Sequence, residues 1–410
     1  MKRLTLLLLG LALGVTATAR AQGLTMQMSN GWSFGFAGNV NVFGVFSKVN
    51  NSGPANSSVR TGLLPAFATF EAKGKEGGLN LGIHFGFAPQ VQNGAAHDNF
   101  GNGTQAGAQI DMRQVYLTLG FKDGSQILAG RELGLFGRQN ILQDMTLFGV
   151  GAVGIGGGQS GGTTLGRIGY GYIYPNFVSQ VTWSSKAGQA ALFSVGLFQP
   201  SVLGMVGGSV LDARSNAFRF TRIPRVEGEF SYNQKSGRNS YMFWAGGLWQ
   251  STSDSASGGQ SLSSIGGTAG IRANFAQLTL TVSGYIGKGL GTTLLFSGGE
   301  RAGTGATATE TRGSDGGYAQ VMYKVDPKTN VGFSWGFSRL KNNSTAAPAG
   351  DGNSLVRSNL YAYTVGFYRQ WTKSLKFVVE GTEEGTTGQI GGLAAGTKQI
   401  DVSAGFMLFF

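Results

Sequence analysis

Apolar and polar side chains exchange at every second position along much of this chain. Trp32, Phe34, Phe36, Val40, Val42 and Phe46 share one parity, and Ser33, Asn39, Asn41 and Ser47 share the other. Successive side chains of an extended strand point to opposite faces, so this stretch predicts a strand greasy on one side and wet on the other. The same split recurs where Leu79, Leu81, Ile83, Phe85 and Phe87 alternate with Asn80, Gly82, His84 and Gly86. It returns in Leu278, Leu280 and Val282 against Gln277, Thr279, Thr281 and Ser283. The chain ends on Ile400, Val402, Ala404, Phe406, Leu408 and Phe410 against Gln399, Asp401 and Ser403.

Connections between these stretches alternate short and long. Short ones fall near 75–78, 122–125, 186–189, 235–239, 275–277, 325–329 and 371–374. Long ones, mostly rich in Gly, Ser, Asn and Thr, fall near 50–58, 91–108, 132–166, 200–221, 252–263, 289–315, 341–356 and 385–397. That rhythm predicts an all-β chain of about 16 strands, a transmembrane antiparallel β-barrel with short periplasmic turns and long outer loops. Both termini then lie on the periplasmic side. A soluble β-sandwich also alternates, but it has no reason to pair short with long connections. It also has little room for inward charges such as Glu71, Lys73, Arg225, Glu227 and Glu229. Small inner positions (Gly82, Gly86, Gly266, Gly270, Gly332, Gly336) argue for open space inside. Residues 167–185 are irregular. We read them as one strand, with Pro175 at a bulge or outside the ladder; a turn at Pro175 and Asn176 would give 17 strands and invert every later loop.

Composition sharpens the picture. Gly is very frequent at 71, Pro is rare at 8, and charged residues make up 13% of the chain, against about a quarter in soluble proteins. Lys2 and Arg3, the apolar run 4–15, and Ala19-Arg20-Ala21 have the form of a secretory leader cleaved before Gln22. Residues 1–21 are therefore expected to be a signal peptide and 22–410 a single barrel domain. The apolar run is shorter than the roughly 20 residues of a spanning helix, and no later run reaches that length. There is no cysteine, which excludes a lipoprotein or a disulfide scaffold. The expected address is the outer membrane of a Gram-negative bacterium.

The formal charge is +12, but Lys2, Arg3 and Arg20 belong to the leader. The remaining basic residues are spread over strand faces and loop ends. They are not clustered with aromatics as nucleic-acid binding requires, so no nucleic-acid partner is expected, and contacts with outer-membrane lipids at the rim are. Gly156-Gly-Gly-Gln-Ser-Gly161 matches G-x-G-x-x-G, but no helical pattern follows it to receive a pyrophosphate. His84 and His97 are the only histidines and have no metal-ligand spacing. No cofactor or metal is expected.

Several short motifs resemble the trimeric general porins of Gram-negative bacteria. Tyr323-Lys-Val-Asp-Pro-Lys-Thr329 and, more loosely, Tyr368-Arg-Gln-Trp-Thr-Lys-Ser374 resemble that family's tyrosine, turn, basic residue and hydroxyl signature. Ile127-Leu-Ala-Gly-Arg131 is similar to the strand before its constriction loop, and Gly405-Phe-Met-Leu-Phe-Phe410 to its closing strand. The family's acidic third-loop motif is not recognisable. The resemblance implies a homotrimer of 16-stranded barrels with a long third loop folded into the lumen, passing small hydrophilic solutes and ions. It also implies that Phe406, Leu408 and Phe410 form a signal for the barrel assembly machinery. The longest connection, 132–166, is third in order.

That loop carries Glu132, Arg138 and Asp144 and is bracketed by Arg131 and Arg167. Folded inward, its acids are expected to face wall arginines, with Arg225 and Arg272 the candidates, so that these seven residues form the constriction. The competing arrangement pairs Glu132 and Asp144 locally with Arg131 and Arg138. The basic excess favours a preference for anions; a nearly unselective or substrate-biased channel is the alternative. Two other readings stay open: a plugged structural barrel, and a barrel hydrolase with a Ser–His pair at its rim.

Overall fold

The computed structural model describes residues 23–51, 53–93, 108–155, 162–203, 218–254, 261–296, 301–302, 310–341, 357–388 and 394–410. Residues 1–22, with the expected signal peptide, His97 and the glycine motif at 156–161 lie outside them. The strands are β1 (Leu24–Gln27), β2 (Ser33–Val49), β3 (Asn56–Arg60), β4 (Phe67–Glu76), β5 (Leu79–Asn93), β6 (Ala108–Gly120) and β7 (Gln126–Leu133). After the helix α1 (Arg138–Leu142) and a 3₁₀ turn at Met145–Phe148 come β8 (Phe177–Ser184), β9 (Ala191–Phe198), β10 (Phe218–Phe220), β11 (Arg225–Ser236), β12 (Asn239–Asp254), β13 (Ser261–Phe275) and β14 (Leu278–Lys288). The chain continues through β15 (Arg301–Ala302), β16 (Glu310–Thr311), β17 (Gly313–Asp326), β18 (Thr329–Lys341), β19 (Arg357–Gln370), β20 (Leu375–Thr386) and β21 (Lys398–Phe409).

Each wall strand pairs antiparallel with its neighbours in sequence, and β2 pairs with β21. The result is a closed barrel of 16 strands, with β3 and β4 sharing the second position. Both are registered on β2, β3 at Phe43–Ser47 and β4 at Ser33–Asn39. Closure leaves no free edge in the wall, as a sheet in lipid requires.

The period-2 faces decide which side is which. Val40, Val42 and Phe46 on β2, Leu280 and Val282 on β14, and Ile400, Val402, Phe406 and Leu408 on β21 are exposed. Their neighbours Asn41, Ser47, Thr281, Ser283, Gln399, Asp401 and Ser403 are buried. An apolar outside and a polar inside is the reverse of a water-soluble sandwich and is the pattern of a wall facing lipid. Short connections join β4–β5, β6–β7, β8–β9, β11–β12, β13–β14, β17–β18 and β19–β20, the seven places expected from the sequence.

Two expectations need correction. Residues 167–176 are not strand: β7 ends at Leu133, β8 starts at Phe177, and 134–176 is one connection. Pro175 therefore stands just outside the ladder's first residue and not in a bulge. Gly134 N–H donates to Asn176 O at 2.9 Å, closing the base of the excursion. The count of 16 survives because 167–185 holds a single strand. The second correction concerns the inner glycines. A Cβ at Gly266 would meet Phe136, one at Gly270 would meet the Trp244 ring, one at Gly332 would meet Met145, and one at Gly336 would meet Tyr170 O. These positions are small because large neighbours and the 134–176 segment lie against them, not because they border open lumen.

Candidate functional site

Residues 134–155 and 162–176 pack on the polar inner face of β11–β20, and acids of the wall hold their backbone. Glu227 on β11 accepts from Leu135 N–H at 2.7 Å and Phe136 N–H at 2.9 Å. Glu380 on β20 accepts from Val150 and Gly151 N–H, both at 2.7 Å, and from Tyr368 OH at 2.5 Å. Farther along β20, Glu384 accepts from Val153 at 3.2 Å and Gly154 at 2.9 Å. Each carboxylate thus receives two successive amides, which offsets the cost of burying its charge with charge-assisted hydrogen bonds. Gly149 makes one clamp possible, because a Cβ there would lie 2.2 Å from Glu380 Oε1.

Side chains complete the attachment. Arg138 on α1 grips Glu229 with Nε at 3.2 Å and Nη2 at 2.6 Å. Asn140 donates to Thr268 and accepts from Trp244 Nε1, both at 2.8 Å, while its carbonyl accepts from Tyr318 OH. Arg167, fully buried, donates to Ala362 O at 2.6 Å and Ser334 O at 2.7 Å.

The charge pattern is therefore the opposite of the one expected. Acids of the segment do not meet wall arginines; the wall supplies the acids. Asp144 caps its own 3₁₀ turn through Thr146 and accepts from Tyr172 OH at 2.8 Å. Burial pushes its carboxyl above the usual aspartate range, against the opposing pull of Arg167. Arg225 pairs with Glu227 at 2.8 Å, and Arg272 donates to Gln143 Oε1 at 2.7 Å. Arg131 is not on the lumen side. It pairs with Val115 and Ser179, two residues on from Ala129, which faces the exposed Leu117 and Val181. Same-parity residues share a face, so Arg131 belongs to the outward row. Nor do Glu132 and Asp144 pair with Arg131 and Arg138 in the local alternative.

With the segment seated on β11–β20, space remains on the other side. A cavity of about 470 Å³ is bounded by wall residues of β4–β7 and by Leu63, Leu64, Ile141, Leu142 and Leu147. Leu63 and Leu64 belong to residues 61–66, where the second wall position leaves the ladder. Leu63 N–H donates to Gly149 O at 2.9 Å, and Asn41 Nδ2 ties down Leu64 O at 2.9 Å.

Polar side chains cross the wall of this cavity in one connected row. Lys73 pairs with Glu71, and Glu71 Oε1 lies 3.1 Å from His84 Nδ1. His84 Nε2 lies 3.2 Å from Gln114 Oε1, and Gln114 Nε2 donates to Glu132 Oε2 at 2.7 Å. Tyr116 stacks on the His84 ring at 4.7 Å. Both ring nitrogens thus face Glu71 and Gln114, not a serine hydroxyl.

Arg113 enters the cavity through a slip in the ladder. Gly86 faces Gln114 while Phe87 faces Met112, so Arg113 is an extra residue of β6. A bulge of this type re-aims a side chain, and here two consecutive residues, Arg113 and Gln114, both line the cavity. Arg113 pairs with Asp111 at 2.9 Å, donates to Tyr174 OH at 3.1 Å and lies over the Phe177 ring. Sequence reading missed Arg113, because a bulge breaks the parity rule that assigns faces.

Comparison with solved structures bears on this architecture. The outer membrane channel DcaP of Acinetobacter baumannii superposes with a TM-score of 0.66 at 12% identity, covering 94% of this chain and 99% of that one. The fold is that of an outer-membrane porin. An anion-selective porin from Comamonas acidovorans matches at TM-score 0.60 and 12% identity, over 92% of this chain and 100% of its own. OprB of Pseudomonas putida matches at 0.56 and 11%, over 92% and 94%. No protein-family model and no curated protein sequence matches the chain.

Proposed function

We propose that this chain is a porin of the Gram-negative outer membrane, a passive water-filled channel for small hydrophilic solutes and ions. The observation that carries the reading is the closed barrel with an apolar outside, a polar inside and a cavity left beside residues 134–176. On this reading the segment is the constriction, and the narrowest passage runs between its apolar edge and the row Glu71, His84, Gln114 and Glu132. Arg113 and Arg138 are the cations at that passage. Arg131 is set aside by its outward position, Arg272, Arg167 and Asp144 act as anchors of the segment, and Arg225 pairs with Glu227, which holds its backbone.

A mild preference for anions is supported by the excess of 29 basic over 20 acidic residues outside 1–21 and by the pairing of Glu71 with Lys73. A barrel of the same fold, the Comamonas protein, is an anion-selective porin. Charges at a narrow, low-dielectric neck act strongly on passing ions. Residues 1–21 are proposed to be removed on export. Phe406, Leu408 and Phe410 are proposed to address the chain to the barrel assembly machinery, and three copies to associate.

Planar-bilayer recording on the purified, folded chain tests the reading. Stepwise conductance in potassium chloride is expected. A folded barrel that passes no current would favour the plugged structural barrel instead. A reversal potential across a salt gradient gives the sign of selectivity, and a cation-selective value would overturn the anion preference.

A further inference from the structure

Charge is spread unevenly along the inner wall. At the end where the short turns lie, the last two inward residues of each wall strand include Lys73, Lys75, Lys235, Arg272, Lys324 and Lys376, and no acid. The register fixes their sense. Lys73 is set against Gly82, Lys235 follows the buried Ser231 in parity, Lys324 follows the buried Gln320, and Lys376 pairs with the buried Met407. They stand on β4, β11, β13, β17 and β20, spaced around the perimeter, and so form a collar and not a patch. The inward acids begin one step deeper, with Glu71 on β4. Glu227, Glu380 and Glu384 are already occupied by backbone amides of the segment.

At the neck each cation stands beside an acid: Lys73 by Glu71, Arg113 by Asp111, Arg138 by Glu229. Apart from Lys73, no collar cation forms an ion pair among the described residues. Lys376 links collar and neck. Its Nζ lies 4.0 Å from the centre of the Phe148 ring. Beside that ring, Leu147 and Phe409 line the cavity of about 470 Å³. A ring face holds an ammonium in place without cancelling its charge, as an acid would.

We infer that this collar supplies the positive excess that selects anions, as a one-sided electrostatic filter at the turn end of the pore, with Lys376 its specificity-determining residue. The inference rests on the channel reading, which puts the short turns on the periplasmic side. Because the collar faces inward, it meets passing ions and not lipid phosphate. A ring of cations in a low-dielectric wall raises the local concentration of anions of any shape, chloride or a small oxyanion alike. Ammonium groups on flexible stems attract without caging, so the anion leaves again. The field of such a wide collar reaches about 8 Å at physiological salt but only about 3 Å at 1 M, whereas a buried neck charge is screened far less.

The test uses the full-length protein in planar bilayers, with the chloride-to-potassium permeability ratio taken from reversal potentials. Lys376→Cys is expected to lower the ratio about twofold, the effect of one unit charge several ångströms away in water. The native sequence has no cysteine, so a methanethiosulfonate reagent labels that thiol alone. A cationic, trimethylammonium-bearing reagent should restore the ratio, and an anionic, sulfonate-bearing one should lower it further. A purely structural role for Lys376 would respond to neither sign. The combined Lys75→Gln, Lys235→Gln, Lys324→Gln chain, altered only at exposed strand ends, should also lose anion preference, and it keeps the test readable if Lys376→Cys does not fold. In the wild type the preference should fade between 0.1 and 1 M potassium chloride. An unchanged ratio in both variants, or a wild-type preference that survives 1 M salt, would overturn the collar while leaving the channel intact. A folded wild type that carries no current would instead refute the channel itself.

Discussion

At the scale of single residues, the informative ones are those that break the strand's two-residue period or bury a charge. Arg113 faces the lumen only because β6 holds one residue more than β5 at that point. Replacing it with alanine is expected to move the reversal potential toward cations while the folded barrel persists, since its partners Asp111 and Tyr174 reach solvent or the lumen. Arg113→Lys should restore only part of the effect, because an ammonium cannot reproduce the guanidinium's position over Phe177 together with its hydrogen bond to Tyr174 and its ion pair with Asp111. A reversal potential unchanged in Arg113→Ala would place the selective charge elsewhere. Glu380 is the complementary case. Hydrogen bonds to a charged group contribute about 1.5–3 kcal/mol each, and Glu380 accepts two from the segment's backbone. Glu380→Ala is expected to free residues 149–151 and give noisier, larger single-channel currents. Glu380→Gln, which keeps an oxygen for those amides, should stay near wild type.

At the scale of elements, the segment 134–176 is a connection whose structure comes from the wall it leans on. Its own helix spans only Arg138–Leu142 and has no side-chain cap, so isolated it has little reason to be ordered. Wall carboxylates at Glu227, Glu229, Glu380 and Glu384 and the glycines at 266, 332 and 336 form its seat. Replacing residues 138–148 with a short glycine-serine link is expected to raise conductance and leave the heat-resistant folded barrel in gel-shift assays. Unchanged conductance would mean that the segment does not limit the pore.

At the scale of the whole molecule, the seam between β2 and β21 closes the barrel. Phe410 N–H donates to Gly38 O at 3.0 Å, Gly38 N–H donates to Phe410 O at 2.9 Å, and the Phe410 ring lies 5.1 Å from Phe36. Phe406 stacks with Trp371 on the same outward face. Removing Phe410 deletes the last pair of hydrogen bonds in the ladder and one ring of this cluster. Export is expected to continue while folded protein in the outer membrane falls sharply. Normal yield of the truncated chain, measured by membrane fractionation, would deny the terminal aromatic a role in assembly.

The strand count, the turn positions and the inward or outward sense of most residues were legible in the sequence, because lipid on one side and polar surroundings on the other impose a strict two-residue alternation. That local rule holds for Val40 and Asn41 or Ile400 and Asp401 without knowledge of any neighbour. It fails where position depends on a partner strand. The bulge at Arg113 and the outward turn of Arg131 follow from register, which is a property of two strands and not of one. The seat of the 134–176 segment, and the reversal that put the acids on the wall, follow from contacts between residues as far apart as Val150 and Glu380. A chain can state which side chains are wet; only closure of the barrel brings a wall carboxylate within reach of a distant backbone amide.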